Sequence, residues 1–165
     1  RWSTIRLLLV LASCFNWHTR QLDYVLAYAQ ASVERELYMR IPNGVDVRGA
    51  SKETQVLKLN KNVYGQRQAG RVWNEYLVKK LIKDVGFVQS RFDECLFFRG
   101  NTLYALYTDD SILAGPSVAE IDTIIEDIKA AGLDMTDEGN VNSFLGVIKL
   151  FNCTSLAEIH IMIDT

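Results

Sequence analysis

The stretch from Cys95 to Gly115 constrains the fold most, because it sets three apolar runs around two tight-turn signals and leaves no room for a helix. Cys95-Leu96-Phe97-Phe98 and Leu103-Tyr104-Ala105-Leu106-Tyr107 flank Arg99-Gly100-Asn101-Thr102, a hairpin pattern of strand-forming residues around a turn. Thr108-Asp109-Asp110 then separates the second run from Ile112-Leu113-Ala114, so the chain reverses twice in succession. Runs joined this tightly pair as antiparallel neighbours. The second reversal also holds two adjacent carboxylates.

Around this meander the apolar spacing changes to a helical period. Ser3 caps a first helix running to about Asn16, with Ile5, Leu8, Leu9, Ala12 and Phe15 as its core-facing stripe. Val72, Trp73, Tyr76, Leu77 and Leu81 predict a second helix, which Gly86 ends. Ser117 and Glu120 form a capping box for a third, with Ile121, Ile124, Ile125 and Ile128 as its buried stripe and Gly132 at its end. Strands are expected over Gln21-Leu22-Asp23-Tyr24-Val25-Leu26-Ala27-Tyr28, near 144–151 and near 158–163. Residues 33–63 read as an excursion with short strands at Leu37-Tyr38-Met39 and Val56-Leu57-Lys58-Leu59. This order predicts an α+β fold, an antiparallel sheet with two helices packed on one face, as one domain over residues 1–165.

With 48% hydrophobic and 23% charged residues, the chain has the composition of a globular domain rather than a disordered or fibrous segment. Its net charge of −2 supplies no global basic field, so any nucleic-acid contact must come from a local patch or from further sequence. Cys14, Cys95 and Cys153 are odd in number and widely spaced, which fits neither a disulfide framework nor a metal knuckle and points to a reducing compartment. No run reaches the roughly 18 apolar residues of a membrane span, and no membrane partner is expected. Leu11-Ala12-Ser13-Cys14 after an apolar stretch has the look of a lipoprotein cleavage box, which would make this an anchored protein. The helical spacing around it favours a packed helix.

An ionised aspartate inside an apolar strand is costly unless a cation or several donors compensate it, and Asp23 is in that position. Asp109 and Asp110 add the repulsion of adjacent like charges. If their strands are neighbours, the carboxylates converge at one sheet edge, an oxygen-rich site suited to hard divalent cations. Two Mg²⁺ about 3.5–4 Å apart would then serve nucleotide transfer, with Mn²⁺ as a substitute. Spacing alone is met at least as well by a solvated turn at Asp109-Asp110 with Asp23 capping a neighbouring group.

Further segments occur in order along nearly the whole chain: Thr4-Ile5-Arg6-Leu7-Leu8-Leu9, Gln21 to Tyr28, Glu36-Leu37-Tyr38-Met39-Arg40-Ile41-Pro42-Asn43-Gly44, Leu57-Lys58-Leu59, Tyr64-Gly65-Gln66-Arg67-Gln68-Ala69-Gly70-Arg71-Val72-Trp73, Tyr107-Thr108-Asp109-Asp110 and Phe144-Leu145-Gly146-Val147. Together they resemble the reverse transcriptase domain of copia-type LTR retrotransposons. The resemblance implies a polymerase palm with partial fingers, residues 33–63 being fingers-like, and thumb and RNase H lying outside the chain. It implies RNA-directed DNA polymerase activity with Asp23, Asp109 and Asp110 as catalytic metal ligands, Asp110 the more dispensable. It further implies Tyr28 as an aromatic gate under the sugar, Gly65, Gln68 and Arg71 as nucleotide or template contacts, and Phe144, Leu145 and Gly146 as a primer grip. Implied partners are an RNA or DNA template-primer, a dNTP and the other polyprotein domains (fingers, thumb, RNase H and integrase), in a cytoplasmic virus-like particle.

The residues depart from the family's pattern at Ala29 and Ser32, where prolines are common, at Thr108, where valine is usual, and at Thr136, where a lysine is expected. Loss of that lysine removes a candidate general acid for pyrophosphate departure. These departures leave open an inactive, diverged copy that keeps the fold with weak metal or nucleic-acid binding.

Overall fold

The computed structural model describes residues 2–47, 54–141, 143–144, 147–148 and 162–163. The chain divides into two units, Arg1–Val25 with Leu77–Thr165, and Leu26–Tyr76.

The first unit is built on six antiparallel strands in the order β4 (Val88–Gln89), β5 (Leu96–Arg99), β6 (Thr102–Tyr107), β7 (Asp110–Gly115), β1 (His18–Tyr24), β8 (Met135–Gly139). The 95–115 meander forms as its turn signals dictate: Gly100 takes φ +57 between β5 and β6, and only Thr108 and Asp109 join β6 to β7. Both reversals are therefore tight. β1, distant in sequence, pairs with β7 on one side and β8 on the other, with Leu22 opposite Ser111 and Gln21 opposite Ile112.

Alternation along β7 sends Ile112 and Ala114 to one face and Ser111 and Leu113 to the other, and all four are buried. Both faces are covered. α1 (Trp2–Cys14) takes the first, where Ile5, Leu8, Leu9 and Ala12 cluster with Ala105, Ile112 and Ala114. α4 (Val118–Ala130) takes the second, its Asp122 paired with Arg20, which lies opposite Leu113, and its Asp127 paired with Arg99 at 2.7 Å. Beside α4 packs a π-helical segment, Leu81–Val85, that continues α3 (Ala69–Lys80). Two helices thus share one face as expected, and α1 occupies the reverse. Leu22, Leu77, Ile112 and Leu113 are wholly buried, each stabilising the fold by about 1.5–3 kcal/mol.

Helix ends follow their signals with three differences. α1 already runs from Trp2, so Ser3, expected as its cap, lies within the first turn. Ser117 Oγ accepts from the Glu120 N–H, but the Glu120 carboxylate accepts from the Asn101 N–H at 3.1 Å, so the capping box is half made and its acid braces the β5–β6 turn. Phe15, expected in the buried stripe of α1, is 63% exposed and stacks on Trp17. The helix stops at Cys14, and Asn16 at φ +51 turns the chain before the stripe can continue.

The second unit holds α2 (Ala27–Gln30), β2 (Ser32–Arg40), β3 (Val56–Lys61) and the first two turns of α3. The strand expected through Tyr28 ends at Tyr24, because Leu26 adopts φ +47 and Ala29 N–H then closes a helical turn on the Leu26 carbonyl. Tyr28 consequently sits on α2. β2 pairs with β3, Leu37 opposite Leu59 and Met39 opposite Leu57, so the two short strands of the 33–63 excursion form one hairpin inside this unit. The buried Asn62 side chain donates to the carbonyls of Ala31 and Ser32.

A separate small sheet pairs β9 (Ser143–Phe144), β10 (Val147–Ile148) and β11 (Met162–Ile163), with Phe144 opposite Val147. Leu145, Gly146 and most of the strand expected over 144–151 lie outside the described residues. Among the described residues no helix is long and apolar enough to cross a membrane, and Cys14 and Cys95 are free thiols.

Candidate active site

The two strands that carry isolated acids end side by side. In the β1–β7 register Asp23 is the direct partner of Asp110, and cross-strand partners project to the same face. Asp109 precedes Asp110 in the two-residue loop, and its carbonyl accepts the Tyr24 N–H at 3.0 Å, tying the loop to the end of β1. Like charges placed opposite one another repel, and the Asp110 carboxyl registers this: its pKa is raised by burial first, then by Asp109, Asp23 and Glu138. Asp23 and the distant pair Asp109-Asp110 therefore share one electrostatic neighbourhood at one end of the sheet.

Glu138 is the member that sequence reasoning missed. β8 pairs Gln21 with Gly139 and Leu22 with Asp137, so Glu138 is the extra residue of a β-bulge, with Gly139 at φ +83 beside it. The Gln21 side-chain amide donates to the Glu138 carboxylate, holding it on the Asp23 face. Asp137 goes to the other face, where Arg20 reaches it at 3.7 Å. Thr136 lies directly opposite Asp23.

The acids that bear on Asp110 offer carboxylate oxygens, the class that hard divalent cations prefer, and a cation would relieve the repulsion that raises Asp110. The chemistry of the donor set fits such an ion. Among the described residues, however, no three His, Cys, Asp or Glu side chains are gathered closely enough to hold a metal as they stand. The structure brings Asp23 and Asp110 into register, while mutual repulsion works against a tighter grouping.

The expected nucleotide or template contacts, Tyr28, Gly65, Gln68 and Arg71, lie in the second unit. Tyr28 packs on Tyr64 with ring centroids 4.5 Å apart, and the Tyr28 hydroxyl lies over Gly70, where an added Cβ would come within 3.7 Å. Gly65 adopts φ +92, a backbone that favours glycine, so the turn alone accounts for it. Gln68 accepts the Val72 N–H through its carbonyl at 3.0 Å at the start of α3. Arg71 is committed to two carboxylates, Glu34 at 2.6 Å and Glu75 at 2.8 Å, which hold its pKa above the ordinary arginine value. A phosphate reaching Arg71 would have to displace them. Phe144 lies on β9, and Leu145 and Gly146 are outside the described residues.

A family model described as reverse transcriptase (RNA-dependent DNA polymerase) matches residues 1–161. The chain is 31% identical over 151 residues to the retrovirus-related Pol polyprotein from transposon TNT 1-94 of Nicotiana tabacum, covering 88% of this chain and 11% of that protein. It is 31% identical over 114 residues to the transposon Ty1-BL Gag-Pol polyprotein of Saccharomyces cerevisiae, covering 69% of this chain and 6% of that one. The chain thus spans a small part of the curated relatives it matches.

Proposed function

The chain belongs to the reverse transcriptase (RNA-dependent DNA polymerase) family, with copia-type Pol polyproteins as relatives, and from that premise we propose that it is the palm of an RNA-directed DNA polymerase. Asp23, Asp109 and Asp110 would hold two Mg²⁺, or Mn²⁺ in their place. The observation that supports this most directly is the register that sets Asp23 opposite Asp110 with Asp109 beside it.

When bound, the ions supply Lewis acidity at the primer 3′-hydroxyl and charge neutralisation at the departing pyrophosphate. The chain's own residues do the holding and the selecting. The carboxylates would hold those ions, which in turn would orient the primer hydroxyl and the triphosphate, and Asp23 and Asp110 are carried on paired strands with Asp109 in the tight loop beside them. Tyr28, on α2 and packed on Tyr64, offers an aromatic face for a sugar. Gly65, Gln68 and Arg71 would contact nucleotide or template, Arg71 by exchanging Glu34 or Glu75 for phosphate. Phe144, Leu145 and Gly146 would grip the primer.

A second reading, an inactive copy that keeps the fold, is favoured by that same pairing of Arg71 and by Thr136, opposite Asp23, where the resemblance calls for a lysine. Primer extension on an RNA template, in the full reading frame that encodes this chain, separates the two. The polymerase reading expects dNTP incorporation that falls at least about a hundredfold in Asp109→Asn. Equal incorporation by both proteins would defeat it. Absence of incorporation with retained Mn²⁺ binding would favour the inactive copy.

A further inference from the structure

Each member of the Asp23–Asp110 pair is followed by a residue on the opposite face of the sheet, Tyr24 after Asp23 and Ser111 after Asp110. Tyr24 lies on β1 and Tyr104 on β6, with β7 between them, so their backbones are about 9–10 Å apart. Their hydroxyls nevertheless meet at 2.8 Å, fully within the core. The residue between them is Ser111, which the register places opposite Leu106 on β6 and Leu22 on β1, at the centre of the diagonal from Tyr104 to Tyr24. A serine leaves the space that a larger residue would fill. Its own hydroxyl donates to the Leu22 carbonyl at 3.4 Å, and its side chain reaches the Tyr104 hydroxyl.

Tyr24, Tyr104 and Ser111 are 2%, 0% and 0% exposed, so the polar atoms are out of water and depend on one another. In that contact one hydroxyl donates to the other. On the other face the opposed carboxylates push β1 and β7 apart. The hydroxyl link crosses β7 at the same level and resists that push.

Resting on the divalent-cation reading above, we infer that Tyr24, Tyr104 and Ser111 are positioning residues whose hydroxyl network, on the reverse of the sheet, holds Asp23 and Asp110 opposite one another for a divalent cation. They touch no substrate. They act by fixing the backbone from which the carboxylates project, as outer-shell partners do around metal sites.

The test is Mn²⁺ binding to the 165-residue chain, followed by electron paramagnetic resonance, with thermal melting alongside. Tyr104→Phe removes the Tyr104 partner of the buried Tyr24 hydroxyl and is expected to lower both the melting temperature and the affinity, the latter about tenfold. The double variant Tyr24→Phe with Tyr104→Phe leaves no tyrosine hydroxyl unpaired, so its melting temperature recovers, yet its affinity stays about tenfold down because the link across β7 is gone. Ile128→Val, a cavity change in α4, lowers the melting temperature without moving the affinity. A double variant that binds Mn²⁺ as tightly as the unaltered chain overturns the positioning role. The cation reading has its own arm: if Asp23→Asn and Asp110→Asn bind Mn²⁺ like the unaltered chain, that reading fails, and the positioning role falls with it.

Discussion

Asp110 sits beside three other acids, and the consequence for stability has a definite sign. Its folded pKa is raised, by burial first and then by Asp109, Asp23 and Glu138. A carboxyl with a raised folded pKa favours the folded chain below its unfolded value of about 3.9, and that contribution is lost as pH rises through the folded value. Asp110→Asn should therefore melt higher than the unaltered chain at neutral pH, by a few degrees at most, with the difference vanishing in acid. Melting curves across a pH series decide it; a variant that melts lower at neutral pH contradicts the sign. Asp23 and Asp110 stood out in the sequence because the one interrupts an apolar run and the other belongs to an acidic pair at a tight turn. Glu138 did not, because it joins them through a bulge that exists only once β8 has paired with β1. The one local signal was Gly139, directly after two acids.

Among the elements, the β6–β7 hairpin carries visible strain. Thr108 occupies the first loop position at φ +59, a left-handed backbone that β-branched residues rarely adopt. The conformation costs about 1–2 kcal/mol, against about 0.5–1 kcal/mol of extra unfolded-state entropy for a glycine there. Thr108→Gly should thus stabilise the chain by up to about 1 kcal/mol, read as an upward shift of the denaturant midpoint with an unchanged slope. Destabilisation would mean that the Thr108 side chain contributes more than its backbone costs. The hairpin itself could be read from turn residues and apolar runs, since both are local. The end of β1 could not: Val25-Leu26-Ala27-Tyr28 has strand-like composition, and only the left-handed turn at Leu26 places Tyr28 on a helix. Nor does a helix stripe say which side of a sheet it will cover, which is why the face taken by α1 emerged only from its cluster with Ala105, Ile112 and Ala114.

Across the whole molecule, stability should be unevenly spread. In the first unit β6, β7 and β1 are interior strands, and Leu22, Tyr104, Ile112 and Leu113 are wholly or almost wholly buried. The second unit rests on a two-stranded sheet whose Tyr38 and Val56 are more than half exposed, and such pairs are marginal by themselves. Amide hydrogen exchange should therefore be slowest in β1, β6 and β7 and faster throughout β2 and β3. Equal protection of the two would show that the hairpin draws support beyond its own sheet.

The two-residue link between Tyr107 and Asp110 makes this protein intolerant of length changes at one spot. Adding or deleting a single codon there would shift β7 by one position, turning Ile112 and Ala114 away from α1 and moving Asp110 to the far side from Asp23. Point changes can erode such a centre gradually, but an indel at that link would invert it in one step.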